Sequence, residues 1–244
     1  MAKKTIPADT NLAEGYVINI DKPLGWTSTD VVRKIRFGLQ KSGYRKIKVG
    51  HAGTLDPLAS GVLLVCVGKA TKRVDELQAQ EKEYVTDIIL GASTPSHDME
   101  HEVDKTYPFE HITREMVEKA LVELSGERLQ TPPLYSAKKI EGQRAYEYAR
   151  EGTEVELRQA LVNIYEMELL EFDLPRIRLR IRCSKGTYIR SIARELGEAL
   201  DSGGYLSSLR RTRSGGFTAD EGMSMEEVAD SLAALREMAL AKSE

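Results

Sequence analysis

The sequence predicts an α+β fold in a single domain, and three observations carry that prediction. Segments with strand-like alternation and segments with helical periodicity follow one another along the chain, and no Pro/Gly-rich linker separates them. The chain is also long enough to bury a substantial core, with 244 residues of which 41% are hydrophobic. No run approaches the ~18 apolar residues of a membrane span, and the lysines of MAKKTIPADTNLAEG have no apolar stretch behind them. The expectation is a cytoplasmic protein without a membrane partner, in which residues 1–14 form an N-terminal tail.

The elements follow in order. GYVINID (Gly15 to Asp21) has the pattern of a short strand ending at Lys22-Pro23. Thr27-Ser28-Thr29-Asp30 is a helix start ahead of VVRKIRFGLQK, because a threonine side chain can cap the first turn while an acid three residues on reaches back. Ile47 to Val49 leads into a glycine loop, and VLLVCVG then reads as a strand buried on both sides. ATKRVDELQAQ is read as helical and EYVTDIILG as a strand. Thr113 opens a helix that places Met116, Val117, Ala120, Leu121 and Leu124 on one apolar face, with Gly126 just past its end. RIRLRIRC (Arg176 to Cys183) alternates throughout, so Ile177, Leu179, Ile181 and Cys183 face a core and four arginines face out. YIRSIARELGEAL carries a helical stripe of Ile189, Ile192, Ala193, Leu196 and Leu200. Ser224 to Glu227 forms a capping box before a last helix with Val228, Leu232 and Leu235 inward.

Net charge is −3, which by itself argues against a nucleic-acid partner, but the charge is segregated. From Lys22 to Arg73 eleven basic residues face two acids, a net of +9; from Val74 to Gln130 five face fourteen, a net of −9. A third block, Arg176 to Arg194, has seven basic residues and no acid, and Arg210-Arg211-Thr212-Arg213 follows. Brought together, these blocks would make a cationic face for phosphates; kept apart, each is a solvated surface. Cys66 and Cys183 are far apart, form no CxxC pair and read as buried apolar residues rather than a disulfide or metal site.

Three stretches bear on chemistry. GHAGTLDPLASG (Gly50 to Gly61) sets one carboxylate, Asp56, among glycines; Asp-Pro alone is an ordinary turn opener. His97-Asp-Met-Glu-His101 matches a zinc-hydrolase pattern that needs both histidines on one helix face, yet it lacks helical apolar periodicity and reads as a solvated, mobile loop. TPPLYSAKKIEGQRAYEYAREG (Thr131 to Gly152) interleaves three tyrosines with four cations, a composition that suits base stacking as well as an ordinary loop and helix. No P-loop, no GxGxxG after a strand and no GxSxG elbow is present in the sequence.

Taken in order, INIDKPLGWTSTDVV, GHAGTLDPLASGVLLVCVGKATK, KEYVTDIILG, PPLYSAKKIEGQRAYEYAREG, CSKGTYIRSIARELG and LRRTRSG closely resemble the TruB family of tRNA pseudouridine-55 synthases from about Gly15 onward. The resemblance implies a pseudouridine-synthase fold, a mixed and mainly antiparallel sheet with flanking helices and an RNA-binding cleft. It implies an isomerase that flips a uridine of the tRNA T-loop, breaks its glycosidic bond and rejoins the base through C5, with no cofactor and no metal. Such bond breaking builds positive charge on the sugar and needs a nearby carboxylate. Asp56 matches the family's essential aspartate, whether it attacks C1′, attacks C6 or abstracts a ribose proton. Arg190 matches the arginine that pairs with it and keeps it ionised. Tyr84 matches the tyrosine that stacks on the target uracil, and Tyr188 a second active-site tyrosine able to move or orient the C5 proton. His51 matches a histidine that inserts into the RNA loop, Leu209 a leucine lining the uracil pocket, and Lys22 with Pro23 a motif that supports the active-site loop, Lys22 also being a candidate phosphate contact. In this reading the glycines let backbone approach the RNA and the Asp-Pro turn aims the carboxylate.

The resemblance implies a single catalytic domain over 15–244, with an RNA-contacting mobile insertion at about 91–130 inside the acidic block. The chain ends at Glu244 soon after the helix that would precede a C-terminal PUA domain, so no PUA domain is expected. The implied partners are the T-loop and stem of tRNA, with a monomeric protein and no obligatory protein partner. Three rival readings stand beside it. A non-catalytic tRNA-folding module would not need Asp56, a zinc hydrolase would need His97 and His101, and a synthase acting on another RNA would keep Asp56 but not modify free tRNA.

Overall fold

In the computed structural model, which describes residues 3–7, 10–133, 135, 139–140, 143–144 and 158–241, the apolar run at Val62 becomes the middle of strand β3. The chain divides into two units, Met1–Lys82 with Arg210–Glu244 and Glu83–Leu209. In the first, β1 (Tyr16–Lys22) runs into helix α1 (Ser28–Lys41), β2 (Val49–His51) and β3 (Ala59–Val67). β1 lies antiparallel to β3 from Tyr16 opposite Val67 to Lys22 opposite Gly61, and β2 pairs with β3 through Val49, Gly50 and His51. A 3-10 turn (Gly68–Arg73) and helix α2 (Val74–Ala79) complete ATKRVDELQAQ, which is helical in two pieces. Ala52, Val62, Leu64, Cys66, Ala70, Leu77 and Ala219 form one core cluster, so β3 buries its apolar side chains on both faces as read.

The capping signals work as predicted. Thr27 accepts from the Asp30 backbone N–H at 3.0 Å, and Asp30 accepts from the Thr27 N–H at 3.1 Å, closing the box at the start of α1.

The second unit holds β4 (Lys82–Leu90), the short pair β5 (Ala92–Ser93) and β6 (Lys105–Thr106), helix α3 (Arg114–Leu124), β7 (Gly126–Gln130), a second short pair β8 (Lys139–Ile140) and β9 (Gln143–Arg144), β10 (Ala160–Asp173), β11 (Arg176–Cys183) and helix α4 (Ile189–Ala199). β12 (Gly204–Ser214) supplies its first half here and its second half to the first unit, where β13 (Phe217–Thr218) and helix α5 (Met225–Ala241) follow. Ahead of α5, Ser224 and Glu227 exchange backbone and side-chain bonds of 2.8 and 3.1 Å, the second capping box. The strand order is β1-β3-β12 in the first unit and β12-β4-β11-β10-β7 in the second. β1 and β2 with β3, β7 and β11 with β10, and β13 with β12 all pair antiparallel. Most of Thr131 to Gly152 lies outside the described residues, so the tyrosine-rich stretch is not placed.

Two expectations need correction. Met116 is 37% exposed while Val117, Ala120, Leu121 and Leu124 are buried: the core-facing stripe of α3 is narrower than its apolar content. The arginines of β11 do face out, but they do not offer a free cationic surface. Arg178 binds Asp87 at 2.7 and 3.1 Å and Glu171 at 2.9 Å, Arg176 binds Glu171 at 2.7 Å and Asp87 at 3.3 Å, Arg180 pairs with Glu168, and Arg182 with Glu166 at 3.7 Å. β10 brings its glutamates opposite these arginines, a cross-strand pairing that a one-strand reading does not reveal.

Candidate active site

Asp56 stands half-buried on the turn between β2 and β3, where Ala59 N–H donates to its carbonyl at 3.0 Å. Three features hold that turn. Ser28, in the first turn of α1, donates its hydroxyl to the Leu55 carbonyl at 3.0 Å and accepts from the Leu55 N–H at 2.9 Å, clamping the residue beside Asp56. Gly25 N–H donates to the Pro57 carbonyl at 2.8 Å. Arg211, 2% exposed, donates Nε to the Val62 carbonyl at 2.7 Å, Nη1 to Thr54 at 3.3 Å and Nη2 to Gly53 at 3.2 Å. A guanidinium is suited to this because its fixed fork satisfies several carbonyls at once.

Lys22 is fully buried, with Nζ donating to the carbonyls of Pro23 at 3.0 Å and Trp26 at 2.6 Å. Burial pushes its ammonium down to about 8, against the opposing pull of the Asp56 carboxylate, while Arg211 lowers it further. This geometry suits support from beneath the loop rather than a grip on phosphate. His51 ends β2 with its Nδ1 buried and without a hydrogen-bond partner among the described residues. Burial first, and then the charge of Arg211, lower its basicity and favour the neutral ring. Two glycines have demonstrable reasons. Gly53 has φ of +99°, which favours glycine; a Cβ on Gly61, φ +101°, would lie 2.2 Å from the Arg211 carbonyl oxygen. Gly61 therefore serves a close approach of protein to protein.

In the second unit the chain turns at Thr187 into α4, with Tyr188 at its N-cap and Arg190 in its first turn. Gln130, 1% exposed at the end of β7, binds both backbone groups of Tyr188: its Oε1 accepts from the N–H at 2.8 Å and its Nε2 donates to the carbonyl at 3.2 Å. Ser191 donates to the Thr131 carbonyl at 2.8 Å. Arg190, 5% exposed, has Nη1 3.6 Å from the Asp98 carboxylate and 3.4 Å from the Ser96 carbonyl. Tyr84 on β4 is 8% exposed, and Leu209 is half-buried on β12.

The stretch around His97 is a loop, as read, but not a solvated one. Ser96 and Asp98 are buried, Ser96 donates to the Asp98 carboxylate at 2.6 Å, and Thr94 donates to the Asp98 carbonyl at 2.7 Å. Without helical backbone from His97 to His101, the residues of the zinc pattern do not share a helix face. No group of three or more metal-ligating side chains occurs among the described residues. Burial and the nearby Arg194 and Arg190 push His97 down to about 4. The first unit thus carries Asp56, Lys22 and His51, and the second Tyr84, Tyr188, Arg190 and Leu209. The roles of Arg211, Ser28, Gln130 and Asp98 carry no signal in the sequence, where Ser28 belongs to a helix start, Asp98 to the His97–His101 pattern and Arg211 to a run of charge.

Two solved structures share this architecture. One chain of a Cbf5-Nop10-Gar1 complex superposes with a TM-score of 0.69 at 34% identity over 92% of this chain, and 56% of the other is covered. An H/ACA RNP bound to a substrate RNA containing 2′-deoxyuridine gives 0.68 at 29% identity over 97%, covering 60% of that chain. The mixed, mainly antiparallel sheet with flanking helices is the pseudouridine-synthase fold, and the protein is of that class of RNA isomerase. Residues 41–189 match the TruB family pseudouridylate synthase N-terminal domain, and 190–243 the tRNA pseudouridylate synthase B C-terminal domain. The tRNA pseudouridine synthase B of Phocaeicola vulgatus is 55% identical over 88% of this chain and 92% of its own length. That of Bacteroides fragilis is 58% identical over 84% and 88%. The chain belongs to the TruB family of pseudouridine synthases.

Proposed function

We propose that the protein converts the uridine at position 55, in the T-loop of tRNA, to pseudouridine, with Asp56 as the indispensable carboxylate. The observation that carries this reading is the fixing of Asp56: a buried arginine and a serine clamp hold the turn that presents one half-buried carboxylate, within the electrostatic reach of the buried Lys22. Positive charge developing on the ribose during glycosidic cleavage is what such a carboxylate stabilises. Arg190 is assigned as the guanidinium that keeps Asp56 ionised, Tyr84 as the stacking partner of the flipped uracil, and Tyr188 as the group that moves or orients the C5 proton. His51, its neutral form favoured by burial, would enter the RNA loop without carrying a charge into it, and Leu209 would line the pocket. The loop and helix over about 91–130 are assigned to RNA contact. No helix among the described residues is long and apolar enough to cross a membrane, and we assign the protein to the cytoplasm as a monomer.

The test is tritium release from C5-labelled uridine in an unmodified tRNA transcript, with wild type and Asp56→Asn compared in EDTA. Release by the wild type alone is expected. Equal release by both proteins would overturn the role of Asp56, and bound but unmodified transcript would favour a folding module or another RNA target.

A further inference from the structure

Away from the carboxylate loop, the first unit contains a cavity of about 470 Å³ between the turn before β2 and the 3-10 turn after β3. Its walls carry Arg45, Lys46, Lys48, Lys69 and Lys72, together with Tyr44. The Gly68 N–H donates to the Lys48 carbonyl at 2.8 Å, so the two turns are tied to each other and the cations keep their spacing. All five cations are exposed. Lys69 is bound to Glu14 at 2.6 Å; Arg45, Lys46, Lys48 and Lys72 have no acidic partner among the described residues. The contrast is with β11, whose four arginines all have carboxylate partners. Four cations without an acidic partner among the described residues therefore surround one concave surface, with Tyr44 and Ile47 half-buried in its lining.

Resting on the reading of the protein as an RNA isomerase, we propose that this groove binds the sugar-phosphate backbone of the RNA substrate away from the target nucleotide. Cations take phosphates in a sequence-independent way, and an aromatic and aliphatic base suits ribose or an unpaired base better than a protein anion would need. The groove lies at the Val67 end of β3 and the Asp56 turn precedes its Ala59 end, nine residues of strand or roughly 26 Å away. One nucleotide cannot occupy both places, so the groove holds a separate stretch of the same RNA.

The experiment measures the affinity of an unmodified tRNA transcript over a salt series for wild type, for Lys48→Gln with Lys72→Gln, and for Arg180→Gln with Arg182→Gln, which removes as much charge from β11. The groove variant is expected to bind ~10-fold more weakly and to lower the slope of log affinity against log salt by about 2, one phosphate contact per lysine. The β11 variant is expected to keep the wild-type slope. Equal slopes for the groove variant and wild type would overturn the proposal, as would equal losses in the two variants. Tritium release by the same wild-type preparation separates the two readings. Activity with an unchanged groove slope sinks the groove alone, and an inactive protein with a groove-dependent slope sinks the assigned reaction while the groove stands.

Discussion

Arg211→Met removes the charge and all three donated hydrogen bonds while keeping much of the side-chain volume, which isolates what the guanidinium does beneath the Asp56 turn. A hydrogen bond from a charged donor is worth ~1.5–3 kcal/mol, but three from one group are not additive, and the variant is relieved of burying a cation. The net loss is then about 3 kcal/mol, or roughly 6–12 °C in Tm for a protein of this size. The buried Val62 carbonyl loses its charged donor and the more accessible Gly53 and Thr54 carbonyls turn to water or shift, and a displacement of ~1 Å at a catalytic carboxylate costs about 100-fold in rate. Thermal unfolding and single-turnover tritium release measure the two effects, with Arg211→Lys as the partial restoration. A methionine variant with wild-type Tm and wild-type rate would refute the argument that this arginine holds the turn.

Two further substitutions test the second unit. The Asp87 carboxyl is held below its ordinary value mainly by Arg178, with Ser208 and Arg176 adding to the effect against the cost of burial. A depressed carboxylate stabilises above the unfolded-state value near pH 4 and loses that contribution as pH falls through the folded value, so Asp87→Asn should cost about 1–3 kcal/mol at pH 7 and flatten the acid limb below about pH 4. Denaturation midpoints from pH 2.5 to 7 that run parallel to the wild type would contradict it. Gln130→Leu removes the side-chain bond to the Tyr188 N–H and one of the bonds to its carbonyl, which still accepts from the Ser191 and Ile192 N–H groups, so the start of α4 loosens and the rate of isomerisation should fall ~10-fold while RNA affinity changes little. A matching loss of affinity would assign Gln130 to RNA binding instead.

The parts legible in the sequence are those with a local physical signature. Alternation in RIRLRIRC and the capping boxes at Thr27 and Ser224 involve residues within a turn or a strand of each other, and the structure forms them where the pattern puts them. The buried stripe of α3 is one residue narrower than its apolar pattern, because apolar character alone does not say where a helix touches its neighbour, and Met116 stays exposed. What stayed hidden depends on chain segments meeting. The glutamates of β10 cancel the arginines of β11, Asp98 reaches Arg190 across 92 positions, and Arg211 reaches Thr54 across 157. None of these pairs has a spacing that marks it. His97 to His101 shows the converse, a motif with correct spacing but no helix beneath it.

The long reach of Arg211 has a consequence for how the protein is made. A ribosome adding ~5–20 residues per second needs roughly 8 to 30 s to extend from Thr54 to Arg211, so the Asp56 turn leaves the tunnel well before the side chain that anchors it exists. During that interval the nascent chain can present the basic groove, whose residues all precede Val74, without an anchored carboxylate loop. Competence for chemistry therefore arrives late in translation, and a chain truncated ahead of β12 would retain RNA-attracting charge while lacking the strut that fixes its aspartate.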